Sequence, residues 1–133
     1  MVHADEFSIV FMDAARPSRA RSGTTLEMET WTFFDEPDRP GRGPGWNTRI
    51  SRLRIDCDAA VLAALNHQVF KDETFVDEVV PPYRMHAPVG PKEASVLAWA
   101  CDLDRTPQDT VVRDLDAARL WANAAWPTLR TRR

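Results

Sequence analysis

Histidine, cysteine, glycine and lysine are all sparse in this chain of 133 residues, and each scarcity removes a class of function. The three histidines, His3, His67 and His86, fall in neither the HxH nor the HExxH spacing from which metal centres are built, so no metal and no other cofactor is expected. Of the five glycines, those at 41, 43 and 45 lie in a proline-rich segment rather than between a strand and a helix. A GxSxG motif and a phosphate loop ending in GK[ST] are both missing, which leaves serine hydrolysis and nucleotide binding without a signature. No apolar run approaches the roughly 18 residues that cross a bilayer, so no membrane span is expected. Lysine supplies only two of the 17 basic residues, and 20 acids bring the formal charge to -3. That balance disfavours nucleic acid as a partner, because phosphates reward clustered positive charge. Residues Met1 to Glu6 carry neither the basic leader nor the apolar core of a signal peptide. A periplasmic or extracellular protein is expected if a leader precedes Met1, and a cytoplasmic one otherwise.

The two cysteines, Cys57 and Cys101, are 44 positions apart and fit neither a CxxC redox motif nor a zinc knuckle. A disulfide and a pair of inert buried thiols both remain open.

What is present is ordinary globular composition, 44% apolar and 28% charged, on a length that suits one core. Phe7 to Met12 reads as a short apolar strand, and Ala14 to Gly23 as a polar turn. From Thr24 to Phe34 the chain alternates. Leu26, Met28, Thr30, Thr32 and Phe34 share one face, and Thr25, Glu27, Glu29, Trp31 and Phe33 share the other, which turns apolar near its end. Asp35 to Pro44 is a loop by its proline and glycine content. Arg49 to Cys57 alternates again, with Ser51, Leu53, Ile55 and Cys57 inward and Arg52, Arg54 and Asp56 toward water. Val61 to Lys71 is ambiguous, since Ala and Leu favour helix whereas Leu65, His67 and Val69 alternate; a strand is expected from about Ala64, and Thr74 to Val80 can complete a hairpin that Pro81 and Pro82 stop.

Pro91 to Cys101 has helical spacing at Ala94, Leu97, Ala98 and Cys101, while a strand with Leu97, Trp99 and Cys101 on one face stays open. Thr106-Pro107-Gln108-Asp109 is a helix start, followed by Val111, Leu115, Ala118, Ala122 and Trp126 at helical spacing. That helix should end at or before Ala125 or Trp126, because Pro127 restricts the residue before it. The expected architecture is a single α+β domain over residues 1–126 with a basic tail at 127–133. It is an antiparallel β-meander of four to six strands with a short helix and a longer C-terminal amphipathic helix packed on one face.

Five tryptophans are many for this length. Trp31 and Trp99 read as core. Trp121 and Trp126, five apart on one helix, cannot both enter one narrow stripe, so one is expected at a boundary or against a partner. Trp46, beside the proline-rich loop, is the best candidate for a recognition aromatic, and with Arg49, Arg52 and Arg54 it forms the candidate binding set. The same arginines also suit a wet strand face opposite Glu27 and Glu29. Asp35-Glu36, Asp72-Glu73 and Asp77-Glu78 are read as solvated turn acids, since no calcium-loop spacing appears. His67 and His86 are the only histidines with a conceivable catalytic use, and no catalytic residue is assigned.

The succession FSIVFMDAA (7–15), TLEMETWTFF (25–34), RISRLRIDC (49–57), a further strand pair, RMHAPVGP (84–91) and KEASVLAWAC (92–101) resembles the surface-adhesin protein E-like family of small bacterial envelope proteins. The resemblance spans about residues 7 to 101. It implies an antiparallel sheet with helical packing, export through a leader, and a Cys57–Cys101 disulfide. Some members adhere to host proteins, but none of their binding residues maps onto a motif here. The function expected is therefore a non-enzymatic envelope or secreted protein that binds another macromolecule, a protein partner or a second copy in a homodimer. A cytosolic accessory domain with reduced thiols is the alternative, and a small hydrolase-like enzyme using a histidine a remote one.

Overall fold

A computed structural model describes residues 1–5, 7–12, 18–19, 25–35, 46–101 and 114–131. Among them run β1 (His3–Ala4), β2 (Ser8–Met12), β3 (Ser18–Arg19), β4 (Thr25–Phe34), β5 (Thr48–Asp56), β6 (Val61–Lys71), β7 (Thr74–Val79), α1 (Gly90–Cys101) and α2 (Leu115–Arg130). All strand pairs are antiparallel, in the order β1-β2-β4-β5-β6-β7, with β3 also pairing β4. This is the α+β meander that the alternating segments dictate.

The two-residue period of β4 and β5 sorts their side chains onto two faces. Leu26 lies opposite Ile55 and Met28 opposite Leu53, whereas Glu27 lies opposite Arg54 and Glu29 opposite Arg52. The first set joins Val10, Met12 and Leu62 in a core capped by Val96, Trp99 and Ala100 of α1. On the other face Ile9, Phe11 and Phe33 meet Ala118, Ala122, Trp126 and Leu129 of α2. Each helix thus covers its own side of the sheet, and α2 keeps the expected stripe from Leu115 onward. Ala118 and Ala122 are fully buried because their small side chains let the helix backbone approach the strands. Trp126 is buried, while Trp121 sits half-buried at the boundary, edge-on to Phe11 at 5.7 Å. Arg119 ties α2 to the β6–β7 turn, 4.0 Å from Glu73, and stands 6.0 Å from the Phe33 ring.

Three local expectations are corrected, and a fourth falls outside the described residues. The described part of the C-terminal helix begins at Leu115, where the Asp114 side chain accepts from the Ala117 N–H at 2.9 Å. The start expected at Thr106 to Asp109, with Val111, lies outside the described residues. The helix also runs through Pro127 to Arg130, so the stop at 125 or 126 and a tail from 127 do not hold. An interior proline costs about 3 kcal/mol, but burial of Trp126 and Leu129 contributes about 1.5–3 kcal/mol for each such side chain, enough to offset it. In α1 the buried residues are Val96, Trp99 and Ala100, whereas Ala94 and Ala98 are exposed. The larger Val and Trp claim the sheet and rotate the helix away from the alanine stripe. Finally, β6 starts at Val61 rather than Ala64, because its first residues pair with Asp56, Ile55 and Arg54 of the neighbouring strand. The turn at 14–23 and the loop at 35–44 lie outside the described residues except for β3 and Asp35.

Cys57 and Cys101 form a disulfide, with Cα atoms 5.6 Å apart. It joins the turn after β5 to the last residue of α1. Closing a loop with 44 residues of separation removes about 4 kcal/mol of unfolded-state entropy. Replacing both cysteines by alanine should lower the urea-unfolding free energy by about 2–4 kcal/mol. The unreduced, unfolded protein should titrate no free thiol; two thiols per chain would contradict the pairing.

Candidate binding groove on the α1 face

The segment that leads into α1 is fastened before the helix begins. His86 pairs its backbone with Leu62 in both directions, at 2.9 and 3.0 Å, so the loop after β7 is stitched to β6. Its ring then reaches forward: Nε2 donates to Glu93 Oε1 at 3.0 Å and Nδ1 to the Arg84 carbonyl at 3.2 Å. The other role of Glu93 is to accept from the Val89 N–H at 3.0 Å, a contact that satisfies a free amide at the helix start. Gly90 supplies the left-handed turn there, at φ +78°. With the disulfide at its far end, α1 is held at both ends across the sheet.

Under the first turns of α1 lies a cavity of about 220 Å³. Val10, Leu53, Leu62 and Val96 give it an apolar floor and roof. Into it come polar groups that no sequence spacing announced. Ser51 is buried, and its Oγ lies 2.7 Å from His67 Nδ1. Arg49 and Lys92 approach one aromatic ring, with the Arg49 guanidinium carbon 5.4 Å and the Lys92 Nζ 5.5 Å from the centre of Phe34. A second depression, about 250 Å³, shares Arg49 and His67 and extends past Trp46 and Val69 to Val76, Asp77 and Val79 of β7. The two depressions lie on either side of Arg49 and His67, one under the α1 N-terminus and one beside the edge of the sheet.

Electrostatics follow from burial. Desolvation, and then the neighbouring Arg49 charge, hold the His67 imidazole below its ordinary value of 6.5. His86 shifts the opposite way, because the Arg84 carbonyl and the Glu93 carboxylate both accept from its ring and favour the imidazolium. Burial lowers the Arg49 guanidinium, against the attraction of Glu93. Burial also lowers Lys92, and the Arg49 charge adds to that effect while Asp5 opposes it.

Of the candidate set Trp46, Arg49, Arg52 and Arg54, the fold brings together only Trp46 and Arg49. Trp46 is half-buried, edge-on to Phe34 at 5.2 Å, and lines the outer depression with Arg49. Arg52 and Arg54 point to the opposite face, since β5 alternates and Arg49 shares the parity of Ser51 and Leu53. There Arg54 pairs with Glu27 at 2.9 Å and stands over Tyr83, and Arg52 lies opposite Glu29, as a wet strand face requires. The parity that separates the arginines was readable in the alternation. Lys92, Glu93 and His86 were not, because they reach the cavity from a loop and a helix distant in sequence. His67 joins Ser51 through a bulge: Leu53 pairs with Ala64 and Arg52 with Asn66, so Leu65 is extra and the face changes parity there. Asp72-Glu73 and Asp77-Glu78 are exposed, and no cluster of three potential metal ligands occurs among the described residues.

No family model, curated protein or solved structure matches the chain. The functional reading therefore rests on the groove and the sheet edge themselves.

The two histidines give a direct check of these electrostatics. In an NMR titration His86 should titrate above 6.5 and His67 below it. The stability from the His86–Glu93 contact is present in full below 6.5 and lost as pH rises through the folded-state value of His86. The stability that neutral His67 contributes is present above 6.5 and lost as pH falls through its own folded-state value. Glu93→Gln should bring His86 back toward 6.5 and leave His67 in place; the reverse order of the two midpoints would contradict the assigned contacts.

Proposed function

We propose that this protein is a non-enzymatic binding protein of an oxidising compartment, envelope or secreted, that takes up an extended segment of a partner protein along β7. One observation carries this reading. β7 is the terminal strand of the sheet and all six of its residues are exposed. Phe75, Val76 and Val79 are each about half exposed, and the adjoining Val80 is 73% exposed. A strand whose outer edge pairs with no other described strand, and whose apolar side chains no described residue covers, is the arrangement that accepts an added strand, the backbone supplying affinity and the flanking pockets supplying selectivity. The outer depression at Trp46, Val76 and Val79 offers such a pocket beside the edge.

Charge favours a foreign segment over a second copy. Asp77 and Glu78 lie in the strand, so two copies of β7 laid together would bring like charges into one ladder. A partner segment with apolar residues alternating with lysine or arginine meets that edge without the penalty. The Cys57–Cys101 disulfide is the kind of cross-link that persists outside the reducing cytosol, which supports the compartment. It also fits the envelope setting implied by the resemblance to the surface-adhesin protein E-like family. The Ser51–His67 contact favours a histidine hydrolase as a second reading. Against it, the acid nearest in role, Glu93, is bonded to His86, and no carboxylate among the described residues hydrogen-bonds to His67 to orient it.

The test is a synthetic peptide of alternating valine and lysine, followed by NMR on the whole chain. The β7 amides should shift and gain protection from exchange, and Val76→Lys with Val79→Lys should abolish both effects. Perturbation centred away from β7, an unaltered response in the double variant, or self-association through β7 in place of peptide binding would each overturn the proposal.

A further inference from the structure

The cavity under α1 carries a charge problem that β7 does not explain. Arg49 and Lys92 are both partly buried and share the Phe34 ring; burial lowers both, and the Arg49 charge lowers Lys92 further. Among the described residues neither cation has a carboxylate within ion-pair distance. The Arg49 Nε is buried without a hydrogen-bond partner. The acids that act on these cations from a distance are already engaged. Glu93 is held by His86 Nε2 and the Val89 N–H, and Asp5 accepts from the Phe7 and Ser8 N–H groups and contacts His3. Two half-desolvated cations beside a partly open cavity, with the carboxylates that act on them hydrogen-bonded elsewhere, favour negative charge in that space.

The rest of the lining says what kind of anion. Val10, Leu53, Leu62 and Val96 are apolar and do not suit a bare inorganic ion, whereas Thr30, Thr32 and the Ser51–His67 pair supply neutral polar points. The Glu93 carboxylate also lines the space, at the α1 end, where His86 and the Val89 N–H hold it. The size, about 220 Å³, suits a small organic molecule rather than a folded domain or a lipid. We propose that the cavity binds a small organic monocarboxylate with a compact apolar body. The carboxylate lies at Arg49 and Lys92, and the apolar part lies against Leu53, Leu62 and Val96. The neutral state favoured for His67 fits this role, because a third cation in the same space is avoided and the ring can pair with Ser51. The cavity shares Arg49 and His67 with the depression beside β7, but Lys92 lines the cavity alone and Val76 and Val79 line the outer depression alone, so their variants tell the two sites apart.

Benzoate is a suitable probe and benzamide its neutral counterpart, titrated into the whole protein by NMR. Benzoate should give saturable shifts at Arg49, Ser51, His67 and Val96, and benzamide should bind at least about tenfold more weakly. Lys92→Gln and Arg49→Gln should each weaken benzoate about tenfold or more, as expected for loss of one charge-assisted contact. Arg52→Gln, on the opposite face, should change nothing. Because Lys92 lies on the first turn of α1 and is only half-buried, its variant keeps the test valid should Arg49→Gln fail to fold. Absence of saturable shifts, equal binding of benzamide, or an equal loss with Arg52→Gln would overturn the assignment.

Discussion

The register of β4 against β5 is the constraint from which the rest of the molecule follows. With Met28 opposite Leu53 and Glu29 opposite Arg52, one face of the central pair is apolar and the other is charged along most of its length. A slip of one residue would exchange the two faces completely. Because Trp31 and Phe33 interrupt the charged face near its end, that side needs a cover only there, and α2 supplies it with an alanine-lined surface. The apolar side needs a cover near Leu26, Ile55 and Leu62, and α1 supplies that. Two helices on two faces are thus a consequence of one strand's sequence, and the uncovered remainder of the α1 face is where the groove lies.

How α1 is mounted decides what the groove can do. A helix of twelve residues that buries only Val96, Trp99 and Ala100 deeply has modest packing of its own. Its position is set by attachments outside that packing: the disulfide at Cys101, the Glu93 carboxylate on His86 and Val89, and the backbone bridge between His86 and Leu62. Such attachments hold the helix over the sheet without filling the space beneath its first turns. The cavity, the withdrawn cations and the low-titrating His67 all depend on that incomplete contact.

Legibility in the sequence followed local periodicity and ended where tertiary contacts took over. β4 and β5 were readable because strict alternation has one interpretation, whereas the apolar end of the second face at Trp31 and Phe33 was visible without showing that a helix covers it. Lys71 to Thr74 was readable as a hairpin turn from its charged residues. β6 was only half readable, since the extra Leu65 places Leu62 and His67 on the same face and blurs the two-residue period. Pro127 misled because a local backbone preference was outweighed by burial of Trp126 and Leu129. In α1 the alanine spacing was a genuine helical pattern, yet the larger side chains chose the buried face. The disulfide could not be read from spacing, as a gap of 44 residues carries no geometric information until β5 and α1 are placed. Of the groove, Trp46 and Arg49 were visible as residue types, whereas the convergence of Ser51, His67, Lys92 and Phe34 exists only in three dimensions.

The central claim is that α1 is a roof pinned by a covalent tie over a sheet that stands without it. Amide hydrogen exchange followed residue by residue, in the disulfide-bonded and the reduced protein, tests this most directly. The account predicts that reduction strips protection from Val96 to Cys101 first and most, while the paired amides of β4 and β5 stay the slowest to exchange. Equal protection of α1 in both redox states, or loss from β4 and β5 ahead of α1, would contradict it.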